Sequence, residues 1–186
     1  MDIAELRAEL EQHHTACFGW AMSCCRRDPG EAEEVLQTVY LKILEGKARF
    51  RGEASLKTWL FAVIRKTAAT EYRRNLLRNL RSAVSSDQVS EREPTGGEVD
   101  AAFDRSAEQV RFRLALQHLP RRQREALHLV FYEDLSLREA ADVMGVSIGS
   151  TRQHYERGKK RLREVLERTE SDYGISWRRK ENPSAV

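Results

Sequence analysis

The stretch from Ser82 to Asp104 constrains this chain more than any other. It contains Ser85-Ser86-Asp87 and Glu91-Arg92-Glu93-Pro94-Thr95-Gly96-Gly97 with few large apolar side chains. Such a stretch cannot bury enough surface to offset the entropy of ordering. It reads as a flexible acidic linker that divides the 186 residues into two small domains. The chain is too short for a large multidomain enzyme, and its composition does not favour a single large buried sheet. Charge follows the same division: residues 65–81 carry 6 basic and 1 acidic side chain, residues 82–108 carry 2 and 7, and residues 109–186 carry 16 and 11. The net charge of +3 conceals two basic zones suited to a polyanion, separated by a spacer that avoids one. With 33% charged and 40% hydrophobic residues, the expected fold class is all-α, with modest cores.

Other classes fall away quickly. No run approaches the roughly 18 apolar residues of a membrane span. The acidic start, Met1-Asp2-Ile3-Ala4-Glu5, has no apolar signal core, so a cytoplasmic protein is expected. Cys17, Cys24 and Cys25 form no disulfide framework, which agrees with a reducing compartment.

Before the linker, apolar spacing predicts three helices. The first, about 2–27, places Ile3, Leu6, Leu10, Cys17, Ala21 and Cys24 on one stripe. The second opens with Asp28 as cap, Pro29 at the first helical position and Glu31 closing a capping box, and ends near Gly46. Its inner stripe is Ala32, Leu36, Val39 and Ile43, flanked by Val35 and Tyr40. Glu34, Thr38, Leu41 and Glu45 lie opposite with Gln37 beside them, so Leu41 is an apolar residue on a polar face. The loop 47–54 leads into a third helix, about 55–81, with Leu56, Leu60, Val63, Ile64 and Ala68 facing inward. Outside that stripe Phe50, Trp59, Phe61 and Tyr72 alternate with Arg49, Arg51, Lys57, Arg65, Lys66, Arg73 and Arg74. Aromatics stack unpaired bases and cations follow phosphates, which suits single-stranded nucleic acid.

After the linker, a helix of about 104–119 carries Ala107, Val110 and Leu114, and Pro120 opens another, about 121–132, with Ala126, Leu127, Val130 and Phe131 inward. Ser136-Leu137-Arg138-Glu139 is then a capping box, followed by a short apolar helix, Gly145 in a turn, and Ser147 capping a last helix that runs past Leu166. This is a helix-turn-helix pattern. Its second helix would enter a major groove, and Arg152, Gln153, Arg157, Lys159, Lys160, Arg161 and Arg163 favour DNA.

Taken in order, the segments resemble a bacterial RNA polymerase sigma factor of the extracytoplasmic-function group in the sigma-70-like superfamily. The matching run is Glu31 through Leu44, then Phe50, Ser55, Thr58-Trp59-Leu60, Ile64 and Glu71-Tyr72-Arg73-Arg74. In the second half it is Leu116 through Pro120, Arg124-Glu125, Leu135-Ser136, Glu139-Ala140-Ala141, Met144 through Ser147, Ser150-Thr151, Arg157 and Arg161-Leu162. Glu34 and Glu71 stand where the family commonly has aspartate, Lys66 where asparagine is frequent, and Gly158 where alanine is usual. That glycine predicts a bend in the last helix.

The resemblance implies a region 2 domain over 1–81, the linker over 82–104, a region 4 domain over 105–170 and a C-terminal tail over 171–186. It implies docking of Glu34, Gln37, Thr38 and Leu41 on the clamp helices of the polymerase largest subunit. It also implies capture of the melted −10 strand by Arg49, Phe50, Arg51, Ser55, Trp59, Arg65, Lys66, Tyr72, Arg73 and Arg74. Ser147, Gly149, Ser150, Thr151, Arg152, Gln153, Arg157 and Lys159 would read the −35 duplex. Core RNA polymerase, including its flap, and promoter DNA are the implied partners, an anti-sigma factor is possible, and neither a cofactor nor a membrane is expected.

Rival readings need features that are missing. A stand-alone helix-turn-helix regulator with an N-terminal sensing or dimerisation domain needs a ligand pocket or dimer stripe, where the first half has aromatic-basic surfaces. No nucleophile–base pair or phosphate loop marks an enzyme. A metal or redox sensor on His13, His14, Cys17, Cys24 and Cys25 would lack any standard zinc spacing.

Overall fold

The structure is a computed structural model and describes residues 3–85, 112 and 114–173. Most of the linker and the end of the tail, with Ala107, Val110 and Trp177-Arg178-Arg179-Lys180, lie outside the described residues. Among the described residues the fold is carried by α1 (Ile3–Cys24), α2 (Pro29–Leu44), α3 (Leu56–Ser85), α4 (Arg121–Leu127), α5 (Leu137–Met144) and α6 (Ile148–Tyr173). There is no strand among the described residues. The architecture is all-α.

In the first half, α1, α2 and α3 pack on one another. Asp28 caps α2 by accepting from the Glu31 amide at 2.9 Å. Ala32, Val35, Leu36, Val39 and Ile43 are buried, as the 3.6-residue period requires. Between α1 and α2 the chain turns through Arg26 and Arg27 at φ +54° and +66°, a conformation that costs an ordinary side chain roughly 1–2 kcal/mol. Arg26 is anchored there: its guanidinium donates to the Tyr72 hydroxyl at 2.7 Å and lies over the Tyr72 ring. Trp20, absent from the expected stripe, is fully buried, with its indole Nε1 donating to the Phe61 carbonyl at 3.0 Å. Phe61 is also fully buried and stacks on Trp20. It therefore leaves the set of outward aromatics: it adjoins Leu60 in the helix, and the width of the buried face takes in both.

In the second half a helical turn over 114–117 precedes α4, and α6 packs against α4 and α5. Leu114 points outward, while Ala115, Leu116 and Leu119 are buried. From His128 to Tyr132 the helix continues as a π turn, closed by the Glu133 amide donating to the His128 carbonyl at 3.2 Å. The wider turn interrupts the 3.6-residue period. Leu129 is consequently buried and Phe131, expected inward, is 64% exposed. The Ser136 box forms completely, with Glu139 and Ser136 exchanging hydrogen bonds at 2.9 and 3.2 Å. Gly145 turns the chain at φ +63°, where glycine pays no Cβ penalty.

No bend is needed at Gly158. The helix α6 runs through it, and a Cβ there would lie 3.2 Å from the Gln123 carbonyl oxygen and 3.1 Å from a Leu127 methyl. The glycine lets α6 approach α4 closely.

The two halves meet in one core. Leu129, Leu135, Ala140, Val143 and Met144 join Trp20, Leu60, Phe61 and Ile64, whereas Leu116, Leu119 and Leu127 make a small separate cluster. Polar contacts border this seam. Lys57 donates to the Glu133 carbonyl at 2.8 Å and pairs with its carboxylate at 2.9 Å. Arg65 pairs with Glu125 at 3.3 Å, and the Thr58 hydroxyl donates to Glu139 at 3.3 Å.

Candidate nucleic-acid and partner interfaces

The outer face of α2 carries Glu34, Gln37 and Leu41, all exposed, with Thr38 half-buried. Leu41 is 58% exposed. Burial of the opposite stripe leaves these residues outward, and together they form a polar strip around one apolar knob. They also line a cleft of about 460 Å³ whose other walls include Ala68, Tyr72 and Asn75 of α3 and Arg121 and Arg124 of α4. Burial lowers the Arg124 guanidinium below its usual range, partly opposed by Glu125.

The loop before α3 turns at Gly46 and Gly52, at φ +69° and +75°. Arg49 and Arg51 are exposed, and Arg49 Nε donates to the Gly46 carbonyl at 3.1 Å. Phe50 and Trp59 are half-buried and pack together at 5.5 Å between ring centroids. Ser55 has a structural task as well: its hydroxyl accepts from the Thr58 amide at 3.2 Å and caps α3. Further along, Lys66, Tyr72, Arg73 and Arg74 are exposed, with Arg74 paired to Glu71 at 3.2 Å. Arg65 differs from these, because it is turned into the seam against Glu125, a carboxylate only 2% exposed that also meets Arg121 and Arg122.

In the second half Ser147 caps α6, accepting from the Ser150 amide at 3.1 Å. Gly149, Arg152, Gln153, Arg157 and Lys159 are exposed and Ser150 is half-buried. Thr151 is fully buried, with its hydroxyl donating to the Ser147 carbonyl at 3.2 Å. It is a packing residue of the helix-turn-helix and leaves the base-reading set. At 100° per residue it falls on the same side as Gly158, which faces α4. Lys159 pairs with Glu156 at 2.9 Å and lies over the Tyr155 ring. Arg157 faces a groove of about 650 Å³ shared with His118, Arg161 and Arg168.

Comparison with known proteins agrees with both halves. Residues 10–77 match the sigma-70 region 2 family and residues 109–162 match the sigma-70 region 4 family. The RNA polymerase sigma factor CarQ of Myxococcus xanthus is 32% identical over 142 residues, covering 75% of this chain and 77% of its own length. The ECF RNA polymerase sigma factor EcfG of Rhodopseudomonas palustris is 28% identical over 135 residues, 73% of this chain and 71% of its own. This chain belongs to the extracytoplasmic-function sigma factors of the sigma-70 family.

Such a sigma factor is a DNA-binding initiation factor that directs promoter-specific transcription with RNA polymerase. Among solved structures, the sigma factor RpoE of Bartonella quintana, bound to the anti-sigma factor NepR, matches with a TM-score of 0.63 and 25% identity, covering 89% of this chain and 98% of its own. CnrH, in complex with the cytosolic domain of CnrY, has the same fold with a TM-score of 0.62, 19% identity and 90% of each chain covered. No helix among the described residues is long and apolar enough to cross a membrane.

The cysteines of this sigma factor are held as thiols. Burial pushes Cys17 and Cys25 up to about 12, aided by the nearby carboxylates Glu133 and Glu31 respectively, and raises Cys24 as well. A protonated thiol is a poor nucleophile and a poor metal ligand. His14 instead contacts the Tyr40 hydroxyl at 3.0 Å. Sequence reasoning missed the seam residues Trp20, His128 and Glu133. Trp20 stands three residues after Cys17 and four before Cys24, a spacing that would have placed it on the stripe. Glu133 has no such local signal.

Proposed function

We propose that Glu34, Gln37, Thr38 and Leu41 dock α2 on the clamp helices of core polymerase. The observation that carries this reading is the exposed Leu41 on an otherwise polar face. The loop 49–55, with Trp59 and the cations of α3, then captures an extruded −10 base and holds the melted strand. Unstacking costs a few kcal/mol, offset by stacking and phosphate contacts. The recognition helix α6 reads the −35 duplex with Ser150, Arg152 and Gln153, while Arg157 and Lys159 meet phosphates. Exposure of Arg152 and Gln153 one turn after the Ser147 cap supports that division. Polymerase performs the chemistry, in the cytoplasm, and an anti-sigma factor like those bound to the structural relatives is a natural antagonist.

The test is a pull-down of core polymerase by Glu34→Arg/Leu41→Ala. Binding should fall at least roughly tenfold, the 1.4 kcal/mol equivalent of a modest interface anchor. Unchanged affinity with normal circular dichroism rejects the docking face.

A further inference from the structure

Capping and packing draw on the hydroxyls at the front of the recognition helix. The Ser147 hydroxyl accepts from the Ser150 amide at 3.1 Å, and the Ser147 and Ser150 hydroxyls lie 2.9 Å apart. Thr151 is fully buried and donates to the Ser147 carbonyl. Gly149 presents only backbone, and a Cβ built on it would meet nothing closer than the Ser147 hydroxyl at 3.9 Å. The exposed side chains of the first two turns of α6 are Ile148, Arg152 and Gln153.

Ile148 is the odd member of that set. It is 38% exposed and belongs to neither core cluster, so packing does not account for it. A single exposed apolar residue means little by itself. The position of this one gives it meaning. Ile148 is the first residue of α6, at the end of the helix that enters a major groove. It stands four residues before Arg152 and therefore on the same side. Arg152 suits guanine O6 and N7, and Gln153 suits adenine N6 and N7. The apolar feature of the major-groove edge is the thymine C5 methyl, and Ile148 is the apolar side chain set beside these two polar readers.

We propose that Ile148 is a specificity-determining residue of the −35 interface, packing on the C5 methyl of a thymine within about two base pairs of the guanine contacted by Arg152. The proposal rests on the −35 reading above and adds a base to it. Four residues of helix rise about 6 Å, and successive base pairs are about 3.4 Å apart, which sets that spacing. Cytosine in the same place lacks the methyl and turns its N4 amino donor toward hydrocarbon, where it finds no acceptor. Ile148 thus selects thymine over cytosine both by contact and by exclusion.

The experiment uses holoenzyme reconstituted from the full chain and core polymerase. Selection from duplexes randomised across the −35 element gives the preferred sequence, which should hold a thymine within about two base pairs of a guanine. Each thymine is then replaced singly by deoxyuridine, which keeps the hydrogen-bonding edge of thymine and lacks its methyl. One replacement should weaken wild-type binding about fourfold, the equivalent of burying one methyl group, and leave Ile148→Ala unaffected. Ile148→Val, one carbon shorter, should keep part of the uracil penalty. Where cytosine replaces that thymine, 5-methylcytosine should recover part of the loss for the wild type only. A uracil penalty at no position, or an equal penalty in Ile148→Ala, overturns the assignment. Arg152→Ala, tested on duplexes with 7-deazaguanine for guanine, separates the two ideas. If Arg152→Ala abolishes sensitivity to 7-deazaguanine while uracil costs nothing, α6 reads the −35 duplex and Ile148 takes no part. If the wild type is indifferent to both analogues, the −35 reading fails and the proposal falls with it.

Discussion

The two halves reach stability by different means. The first is a bundle of three helices, two of them more than 20 residues long, and it contributes Trp20, Leu36, Val39, Leu60 and Ile64 to the core. The second relies on short helices closed by caps, and its separate cluster holds only Leu116, Leu119 and Leu127 among buried residues. Its remaining large buried residues, Leu129, Leu135, Val143 and Met144, belong to the core shared with the first half. A domain of this size gains little from a small core. The first half thus supplies the platform on which the second completes its core.

Four changes break or sharpen this contrast. Trp20→Ala should have the largest effect, about 3–5 kcal/mol, and because Trp20 contacts both Phe61 and His128 it should loosen both halves together. Urea unfolding followed by fluorescence of the remaining tryptophans measures it; two separated transitions would contradict a shared core. Gly158→Ala concerns the second half alone. Overpacking against the Gln123 carbonyl should outweigh the gain in helix propensity and leave a net loss of about 1 kcal/mol. A thermal midpoint that rises instead would mean α6 has room to move.

Ser136→Ala removes the capping box and should cost about 1 kcal/mol, visible as faster amide exchange in α5 with α1 and α2 unaffected. The smallest effect is on pH dependence. Burial would raise the Glu133 carboxyl, but hydrogen bonds from His128 and Lys57 outweigh it and hold it below the usual range. Its contribution to the contact between the two halves is therefore complete above the ordinary carboxylate range and disappears as pH falls through the depressed value. Scattering from pH 7 to pH 3 should show acid expansion, and Glu133→Gln should shrink the pH-dependent part of it.

What could be read without coordinates was what depends on neighbours three or four residues apart. Asp28 and Ser136 cap as expected because a cap needs only the amide three positions on, and Leu41 stands outward because its helix has a single period. The same logic failed where that period changes. A π turn exposes Phe131, and a single inward stripe is too narrow to take in Phe61. Thr151 and Gly158 could not be assigned from composition either, since a threonine beside a cap and a glycine in a basic helix read equally well as contact or packing. Their burial follows from the close approach of α6 to its neighbours.

The seam lay furthest from view. Lys57 meets Glu133 across 76 residues, Arg65 meets Glu125 across 60 and Thr58 meets Glu139 across 81. Helical periodicity gives each helix an inner face but does not say which distant face will cover it. That choice depends on apolar area, shape and the pairing of buried charge, all of which exist only once the helices are packed.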